Sequence, residues 1–352
     1  DHTEAARLRR MGTRENAPWP AGVWKRHLAD AVTDPEELLR MLGLDDRSPS
    51  KTPSAARRFP LRVPRGFVGR MRKGDPRDPL LRQVLPVANE DLPSEGFTAD
   101  PVNELSMPRS GGVLHKYCGR ALVVVTGACA VHCRYCFRRH FPYTELELGD
   151  GGLESAFTRI AADPEITELI LSGGDPLLAS DARLAEIARG VAVVPHLRRL
   201  RIHTRLPIVV PQRVDGPLIS WIGGLNVPLV VVVHVNHANE IDDDVRQALA
   251  ALASAGVTLL NQAVLLRGIN DSVDSQVDLS EALFGAGVLP YYLHMLDRVE
   301  GAAHFEVPEN EARMLYGELK ARLPGYLVPR FVREIPGAPA KIDIFQSLNV
   351  ER

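Results

Sequence analysis

The sequence lacks any apolar run approaching the roughly 18 consecutive residues that a membrane-spanning helix requires. Its first residues, DHTEAARLRRMGTRENAPW, contain no apolar segment of the kind found in secretory signal peptides. Cysteine is also scarce: there are four in 352 residues, and three of them stand within eight positions. That number and spacing do not resemble the disulfide framework of a secreted protein. Together these absences predict a cytoplasmic protein that does not associate with membranes.

Charge of one sign is not concentrated anywhere in the chain. Lys and Arg total 42 against 44 Asp and Glu, which gives a net charge of -2. There is no basic stripe that would indicate a nucleic-acid partner, and no acidic tail. A hydrophobic content of 45% is sufficient for a large buried core. We therefore expect a globular protein that binds a small, locally charged ligand.

Residues 1–104 have a helical and irregular pattern, and we predict a mostly helical N-terminal extension. In residues 105–323, β-branched apolar runs alternate with segments of helical period. Residues 324–352 form a loop-rich closing segment with one short apolar run, IDIF. Strands are predicted at 121–126, 168–173, 198–204, 228–235, 257–266 and 288–296, and helices near 152–162, 181–192, 211–222, 241–255, 273–286 and 308–322.

Six consecutive βα units without a sign of reversal favour an α/β fold of the incomplete (β/α)6 barrel type. A doubly wound open sheet is the alternative. In both architectures, functional residues collect in the loops that follow the carboxyl ends of the strands. The C-terminal segment is expected to close the mouth of the barrel.

Three of the cysteines, Cys129, Cys133 and Cys136, follow the first predicted strand with the spacing C-x3-C-x2-C. They could be buried thiols on one face of a helix, but three arginines and two histidines stand between them or directly after them. They could bind structural zinc with a histidine or Cys118 as the fourth ligand, yet no ligand pair with ordinary zinc spacing is nearby. Three thiolates that leave one coordination position free suit a [4Fe-4S] cluster whose fourth iron binds another molecule.

This cysteine spacing resembles that of radical S-adenosylmethionine enzymes. Further sequence blocks limit the resemblance to one family of these enzymes. They include HKYCGRALVVVTGACAVHCRYCFRRHF, ILSGGDPL, HVNHANEI, PYYLHMLDRVEGAAHF and PGAPAK. From about residue 110 to residue 341 the chain resembles the lysine 2,3-aminomutase family, and in particular its short bacterial branch, which makes (R)-β-lysine for the modification of elongation factor P. The resemblance implies a radical S-adenosylmethionine barrel with a [4Fe-4S] cluster, S-adenosyl-L-methionine and pyridoxal 5'-phosphate.

The resemblance also implies where pyridoxal phosphate is held. Lys341 lies at the family's position for the lysine that forms an imine with this cofactor. Lys116, Tyr117 and Arg120 lie at the positions that hold its phosphate, and Arg205 is expected to join them. Lys116 keeps the family's positive charge but lacks the bidentate fork of an arginine. For S-adenosylmethionine, the resemblance assigns the backbone of Ser172, Gly173, Gly174 and Asp175 and the side chains of His234 and Gln262.

The resemblance assigns three charged residues to the substrate. Arg138 is placed against an α-carboxylate, and Asp297 and Glu334 are placed at a side-chain ammonium, so a cationic amino acid is favoured over an anionic one. The expected reaction is the conversion of L-α-lysine to β-lysine. Glu334 replaces the Asp of the lysine-degrading members, so the stereochemistry of the product stays open.

The implied partners are an external one-electron reductant such as flavodoxin, and elongation factor P or its lysyl ligase. Three alternatives remain at this stage. They are a radical S-adenosylmethionine enzyme without pyridoxal phosphate, an aminomutase for another cationic amino acid, and a non-catalytic zinc-binding protein.

Overall fold

The computed structural model describes residues 17–44, 54–106, 109–110, 113–143 and 152–345. In this part of the chain, ten strands form a single sheet in which neighbours follow sequence order. β1 to β3 pair antiparallel, β3 to β9 pair parallel, and β10 returns antiparallel to β9. The strands are β1 (Arg109–Ser110), β2 (Val113–Tyr117), β3 (Arg120–Thr126), β4 (Glu168–Gly173), β5 (Arg199–Thr204), β6 (Leu229–Val233), β7 (Thr258–Val264), β8 (Leu289–His294), β9 (Arg330–Arg333) and β10 (Ile342–Asp343).

The helices follow the alternation expected from the sequence. Among the described residues, five short helices precede the sheet, and most of those that follow connect consecutive parallel strands. They are α1 (Val23–Ala29), α2 (Pro35–Met41), α3 (Ser54–Arg58), α4 (Arg65–Val68), α5 (Pro79–Arg82), α6 (Gly152–Ala162), α7 (Asp181–Ala192), α8 (Leu206–Val209), α9 (Gly216–Gly223), α10 (Asp243–Ser254), α11 (Val273–Gly285) and α12 (Glu309–Arg322).

Local sequence determines where the long helices begin. The side chains of Ser180, Asp215, Asp242 and Ser272 each accept a hydrogen bond from a backbone N–H in the first turn of the helix that follows. Such N-caps satisfy donors that have no partner within the helix and typically stabilise it by about 1 kcal/mol. Between the helices, strands such as β6 (LVVVV) are largely buried, as expected for a parallel sheet covered by helices.

The predicted incomplete barrel is confirmed. The six predicted strands correspond to β3 to β8, and because they pair in chain order the sheet is singly wound, which excludes the doubly wound alternative. The structure adds a seventh parallel strand, β9, that the sequence analysis missed. In the described part of the chain β1 and β10 do not pair with each other, so the barrel is open.

The N-terminal segment packs on the barrel and shares its hydrophobic core, which includes both Trp24 and Phe67. Isolated bridges join Trp19 to Asp215, and Thr98 to Val299. No helix among the described residues is long and apolar enough to cross a membrane.

Candidate active site

A cavity of about 640 Å³ opens at the carboxyl ends of the parallel strands. It gathers residues as far apart in the sequence as Phe59 and Lys341, as expected at this end of an α/β barrel. Every site residue predicted from the sequence lines this cavity except Lys116, whose side chain lies outside the described part. The lining residues among those predictions are Tyr117, Arg120, Cys129, Cys133, Cys136, Arg138, Ser172, Gly173, Gly174, Asp175, Arg205, His234, Gln262, Asp297, Glu334 and Lys341.

The cysteine loop, residues 127–143, follows β3 directly. Cys129, Cys133 and Cys136 all line the cavity and are partly buried. Burial raises the pKa of Cys129, and burial together with the Cys133 thiol raises the pKa of Cys136 to about 11. Without a metal these two thiols are therefore protonated at neutral pH, and metal binding must release their protons.

The cysteines fit a cluster better than a closed zinc site. Cys118, considered as a fourth zinc ligand, lies in the turn before β3, at the opposite end of a seven-residue strand roughly 20 Å long. The ring of His132 stacks on Phe59, and its Nδ1 lies 2.8 Å from the carbonyl oxygen of Pro60. Among the described residues, no three His, Cys, Asp or Glu side chains are arranged around one metal ion. A four-iron cluster does not require the three sulfur atoms to surround one metal ion, because each protein thiolate binds a different iron.

The arginines of the cysteine loop anchor it to the N-terminal segment. Arg134 donates to both carboxylate oxygens of Glu90, and Arg139 donates to the same carboxylate at 2.7 Å. Arg138 makes a bidentate pair with Glu104, at 2.7 and 2.8 Å. All five side chains are at least nine-tenths buried. Removing one partner of such a pair would leave an uncompensated buried charge, at a cost of about 3–5 kcal/mol.

Glycines allow the loop after β4 to lie against the cysteine loop. The N–H of Gly174 donates to the carbonyl oxygen of Thr126 at 2.7 Å, and that of Asp175 donates to Ala128 at 2.8 Å. A Cβ on Gly174 would lie 2.1 Å from the Ala128 carbonyl oxygen, and Gly173 has a φ of +121°. Only glycine fits both positions without moving the backbone of the cysteine loop.

The carboxylate of Asp175 is structural in this chain. It accepts hydrogen bonds from the Thr204 hydroxyl at 2.6 Å and from the backbone N–H groups of Arg205 and Leu177. The Ser172 hydroxyl accepts from Arg138 at 3.0 Å. These hydrogen bonds connect the carboxyl ends of β4 and β5 to each other and to the cysteine loop.

Arg205 makes its contacts with the cysteine loop, the N-terminal segment and the loop after β6. It was expected at the cofactor phosphate, but its guanidinium lies beside the cysteine loop: Nη1 donates to Cys133 Sγ at 2.7 Å and to the Tyr135 hydroxyl at 3.0 Å. Nη2 donates to Gln83 at 2.6 Å and to Glu240 at 2.9 Å. The physical reason is that the fully buried Glu240 carboxylate requires a cation, and Arg205 supplies it.

His234 and Gln262, predicted to bind S-adenosylmethionine, lie at the ends of neighbouring strands. Burial, with the nearby cations Arg205, Arg138 and Lys341, lowers the pKa of His234 to about 4. Its ring is therefore neutral at physiological pH. Gln262 Oε1 is buried, lines the cavity and has no hydrogen-bond partner within the described structure. Such an oxygen is expected to accept from a bound ligand.

In the same cavity, Lys341 contacts the acid predicted to bind the substrate side chain. Its Nζ donates to Glu334 Oε2 at 2.6 Å, and the Tyr117 hydroxyl donates to Glu334 Oε1. The Arg120 guanidinium lies 5.1 Å from the centre of the Tyr117 ring. Burial and the Glu334 carboxylate raise the pKa of Tyr117, so its hydroxyl stays protonated. An amine, a carboxylate, a phenol and a guanidinium thus share one wall of the cavity.

Sequence reasoning missed the residues that support the site. Glu90, Glu104 and Gln83 belong to the N-terminal segment, which was expected only to pack against the barrel. Glu240 belongs to the block HVNHANEI, which contributed to the family resemblance. The block does not indicate that Glu240 contacts Arg205. Glu104 has no comparable signal, because one acid in an irregular segment is normally exposed.

Comparisons with known proteins agree with this geometry. A family model described as a 4Fe-4S single cluster domain matches residues 118–196. An L-lysine 2,3-aminomutase of Escherichia coli (strain K12) is 50% identical over 319 residues, which cover 90% of this chain and 93% of the relative. An L-lysine 2,3-aminomutase of Haemophilus influenzae is 45% identical over 90% of this chain and 94% of the relative.

Solved structures show a more distant likeness. A radical SAM methyltransferase from Sphaerobacter thermophilus matches with a TM-score of 0.45 at 18% identity, over 62% of this chain and 68% of that one. The two sequence relatives are decisive, because their identity extends over nearly their whole length. The chain belongs to the L-lysine 2,3-aminomutase family.

Proposed function

We propose that this protein is a lysine 2,3-aminomutase that converts L-α-lysine to β-lysine. The observation that carries the proposal is the cavity itself. Its lining includes three cysteines suited to an iron–sulfur cluster, a lysine amine suited to an imine, and carboxylates suited to a cationic substrate. A zinc-binding protein without catalytic activity would not need the second and third of these groups in the same cavity.

The residues present fit the implied cofactors. When bound, the cluster with S-adenosylmethionine supplies a radical that removes a hydrogen atom from the substrate, and pyridoxal phosphate carries the migrating nitrogen. Cys129, Cys133 and Cys136 would hold the cluster, and the unpaired Gln262 oxygen is a free acceptor for S-adenosylmethionine. Lys341 would hold pyridoxal phosphate, with Arg120 and Tyr117 on the same wall.

Substrate binding requires an exchange of partners at Arg138. Its Nε and Nη2 are paired with Glu104, and its Nη1 donates to Ser172 and to the Gly173 carbonyl. A substrate carboxylate can take the fork only if the Glu104 carboxylate leaves it. The exchange keeps one anion on the buried guanidinium, but the displaced Glu104 carboxylate must then take up a proton or another partner.

Glu334 supports the assignment of a cationic substrate. It already binds one primary ammonium, that of Lys341, at 2.6 Å. A lysine side chain ends in the same group, and Asp297 lies on the same cavity as a second carboxylate. We propose that these two acids hold the substrate ammonium, while water is excluded by the closing segment.

The partners of the reaction are part of this proposal. Reduction of the cluster needs an external one-electron donor such as flavodoxin. The product would serve elongation factor P, either directly or through its lysyl ligase, as the resemblance to the short bacterial branch implies.

Substrate choice tests the proposal. Protein purified without oxygen and loaded with all three cofactors is expected to turn over lysine at least about tenfold faster than ornithine or arginine, because each methylene changes the reach between Arg138 and the two acids. Glu334→Gln should reduce turnover of lysine by about thirtyfold or more. Glu318→Gln, an exposed site on α12, is the matched control and should be unchanged. Equal turnover of lysine, ornithine and arginine would contradict the assignment of lysine as the substrate. The chirality of the β-lysine would distinguish the short bacterial branch from the lysine-degrading members.

A further inference from the structure

The guanidinium of Arg205 contacts one cluster cysteine directly. Nη1 lies 2.7 Å from Cys133 Sγ, and the Arg205 side chain is about 6% exposed. No comparable cation contacts the sulfur atoms of Cys129 or Cys136 among the hydrogen bonds of the described residues. Arg138 and Arg139 influence the other two thiols through their charge, but in the described structure it is the Cys133 sulfur that accepts a guanidinium hydrogen bond.

The position of this donor does not depend on the sulfur. Nη2 is held by Gln83 and by the Glu240 carboxylate, and Nη1 is also shared with Tyr135. Glu240 is itself fixed, because it accepts from the backbone N–H of Asn236 at 2.9 Å. A rigid network thus places a full positive charge beside the sulfur.

One more donor of the same guanidinium is unused. Arg205 Nε is buried and has no hydrogen-bond partner within the described structure. Buried donors normally have partners, because an unsatisfied one loses its hydrogen bonds to water without replacement. Arg205 as a residue also lines the cavity.

We propose that Arg205 raises the reduction potential of the iron–sulfur cluster through its hydrogen bond to Cys133. This inference rests on the proposed function for the presence of the cluster. Reduction takes one electron from an external one-electron donor and converts the cluster from the 2+ to the 1+ state, while no bond or proton changes at Arg205. A fixed cation beside a ligating sulfur stabilises the added negative charge, and hydrogen bonds to the sulfurs are known determinants of cluster potential.

The alternative is a purely structural role, in which Arg205 only neutralises Glu240 and joins the N-terminal segment to the barrel. Its loss would then reduce stability and cluster content but would leave the potential of the remaining clusters unchanged. The potential therefore separates the two roles, whereas activity does not.

The test is a redox titration of the reconstituted protein in the absence of S-adenosylmethionine, with the reduced cluster followed by electron paramagnetic resonance. Arg205→Gln is expected to shift the midpoint potential to more negative values. Arg205→Gln combined with Glu240→Gln removes both charges of the buried pair, so it avoids an orphaned carboxylate and should show the same direction. Arg201→Gln lies on β5, the strand that Arg205 follows, and is paired with Glu168; it removes a cation that does not contact a cysteine and should have the wild-type potential.

The outcomes distinguish this inference from the function on which it rests. If the wild-type protein binds no cluster, the proposed function fails. If the variants bind a cluster with an unchanged or a more positive potential, the role of Arg205 is refuted and the proposed function stands.

Discussion

At the scale of single residues, the site pairs each key cation with an acid before any ligand arrives. Lys341 is bound to Glu334, Arg138 to Glu104 and Arg205 to Glu240. Each charge would be costly to bury alone. We therefore expect ligands to displace Glu334 from Lys341 and Glu104 from Arg138, whereas Arg205 stays paired with Glu240.

The assignment of Lys341 leads to a direct prediction. Borohydride reduction of the protein loaded with pyridoxal phosphate should attach the cofactor to the peptide that contains Lys341, because reduction converts an imine to a stable amine. Mass spectrometry of the digested protein measures the label. Lys341→Ala should abolish it and its visible absorbance, whereas Lys320→Ala, an exposed position on α12, should leave both unchanged. A label on another lysine, or none, would favour a radical enzyme without pyridoxal phosphate.

At the scale of the secondary-structure elements, the loops that follow β3, β4 and β5 act as one unit. Backbone hydrogen bonds join the loop after β4 to the cysteine loop, and Asp175 joins both to the end of β5. The spacing of the three cysteines therefore depends on residues that never contact the metal.

Substitution of Gly174 tests this coupling. Gly174→Ala places a Cβ 2.1 Å from the carbonyl oxygen of Ala128, which is backbone and cannot move without displacing the cysteine loop. We expect the variant to bind clearly less iron and sulfide per chain, as measured by chemical analysis after reconstitution. Gly317→Ala, on α12 with open space around its Cβ, should keep full cluster content and gain up to about 1 kcal/mol of stability. Full cluster content in Gly174→Ala would contradict the coupling.

The elements themselves could be predicted because their signals are local. β-branched runs and helix caps lie within the segments that they define, so β3 to β8 and the longer helices between them followed from the sequence, whereas the four-residue α8 did not. β9, RFVR, was missed because it is short and carries an arginine at each end. The contacts of Glu104 and Gln83 with residues 34 to 122 positions away depend on the path of the whole chain, which no local pattern records.

At the scale of the whole molecule, burial of histidines couples stability to pH. Burial lowers the pKa of His203, His234 and His304, and to about 4 in the last two. The unfolded chain takes up protons near pH 6.5 while the folded chain does not. Stability is therefore unaffected by these groups above about pH 7 and is lost as the pH falls from 6.5 towards 4.

Chemical denaturation of the cofactor-free protein at a series of pH values measures this effect. The free energy of unfolding should decrease towards pH 4, with His234 contributing on the order of 1–3 kcal/mol. His234→Gln should flatten the dependence in this window. An identical pH profile for the variant and the wild type would show that His234 is protonated equally in the folded and unfolded chains.

The whole account depends on the cysteine loop and the wall that carries Lys341 acting on one lysine molecule. The most direct measurement is to supply lysine labelled with ¹⁵N at the α-amino group to the anaerobically reconstituted protein with S-adenosylmethionine and a reductant, and to locate the label by NMR and mass spectrometry. The account predicts β-lysine with ¹⁵N on C3. Recovery of unchanged lysine, with ¹⁵N still on C2, from protein shown to contain cluster and pyridoxal phosphate would contradict it.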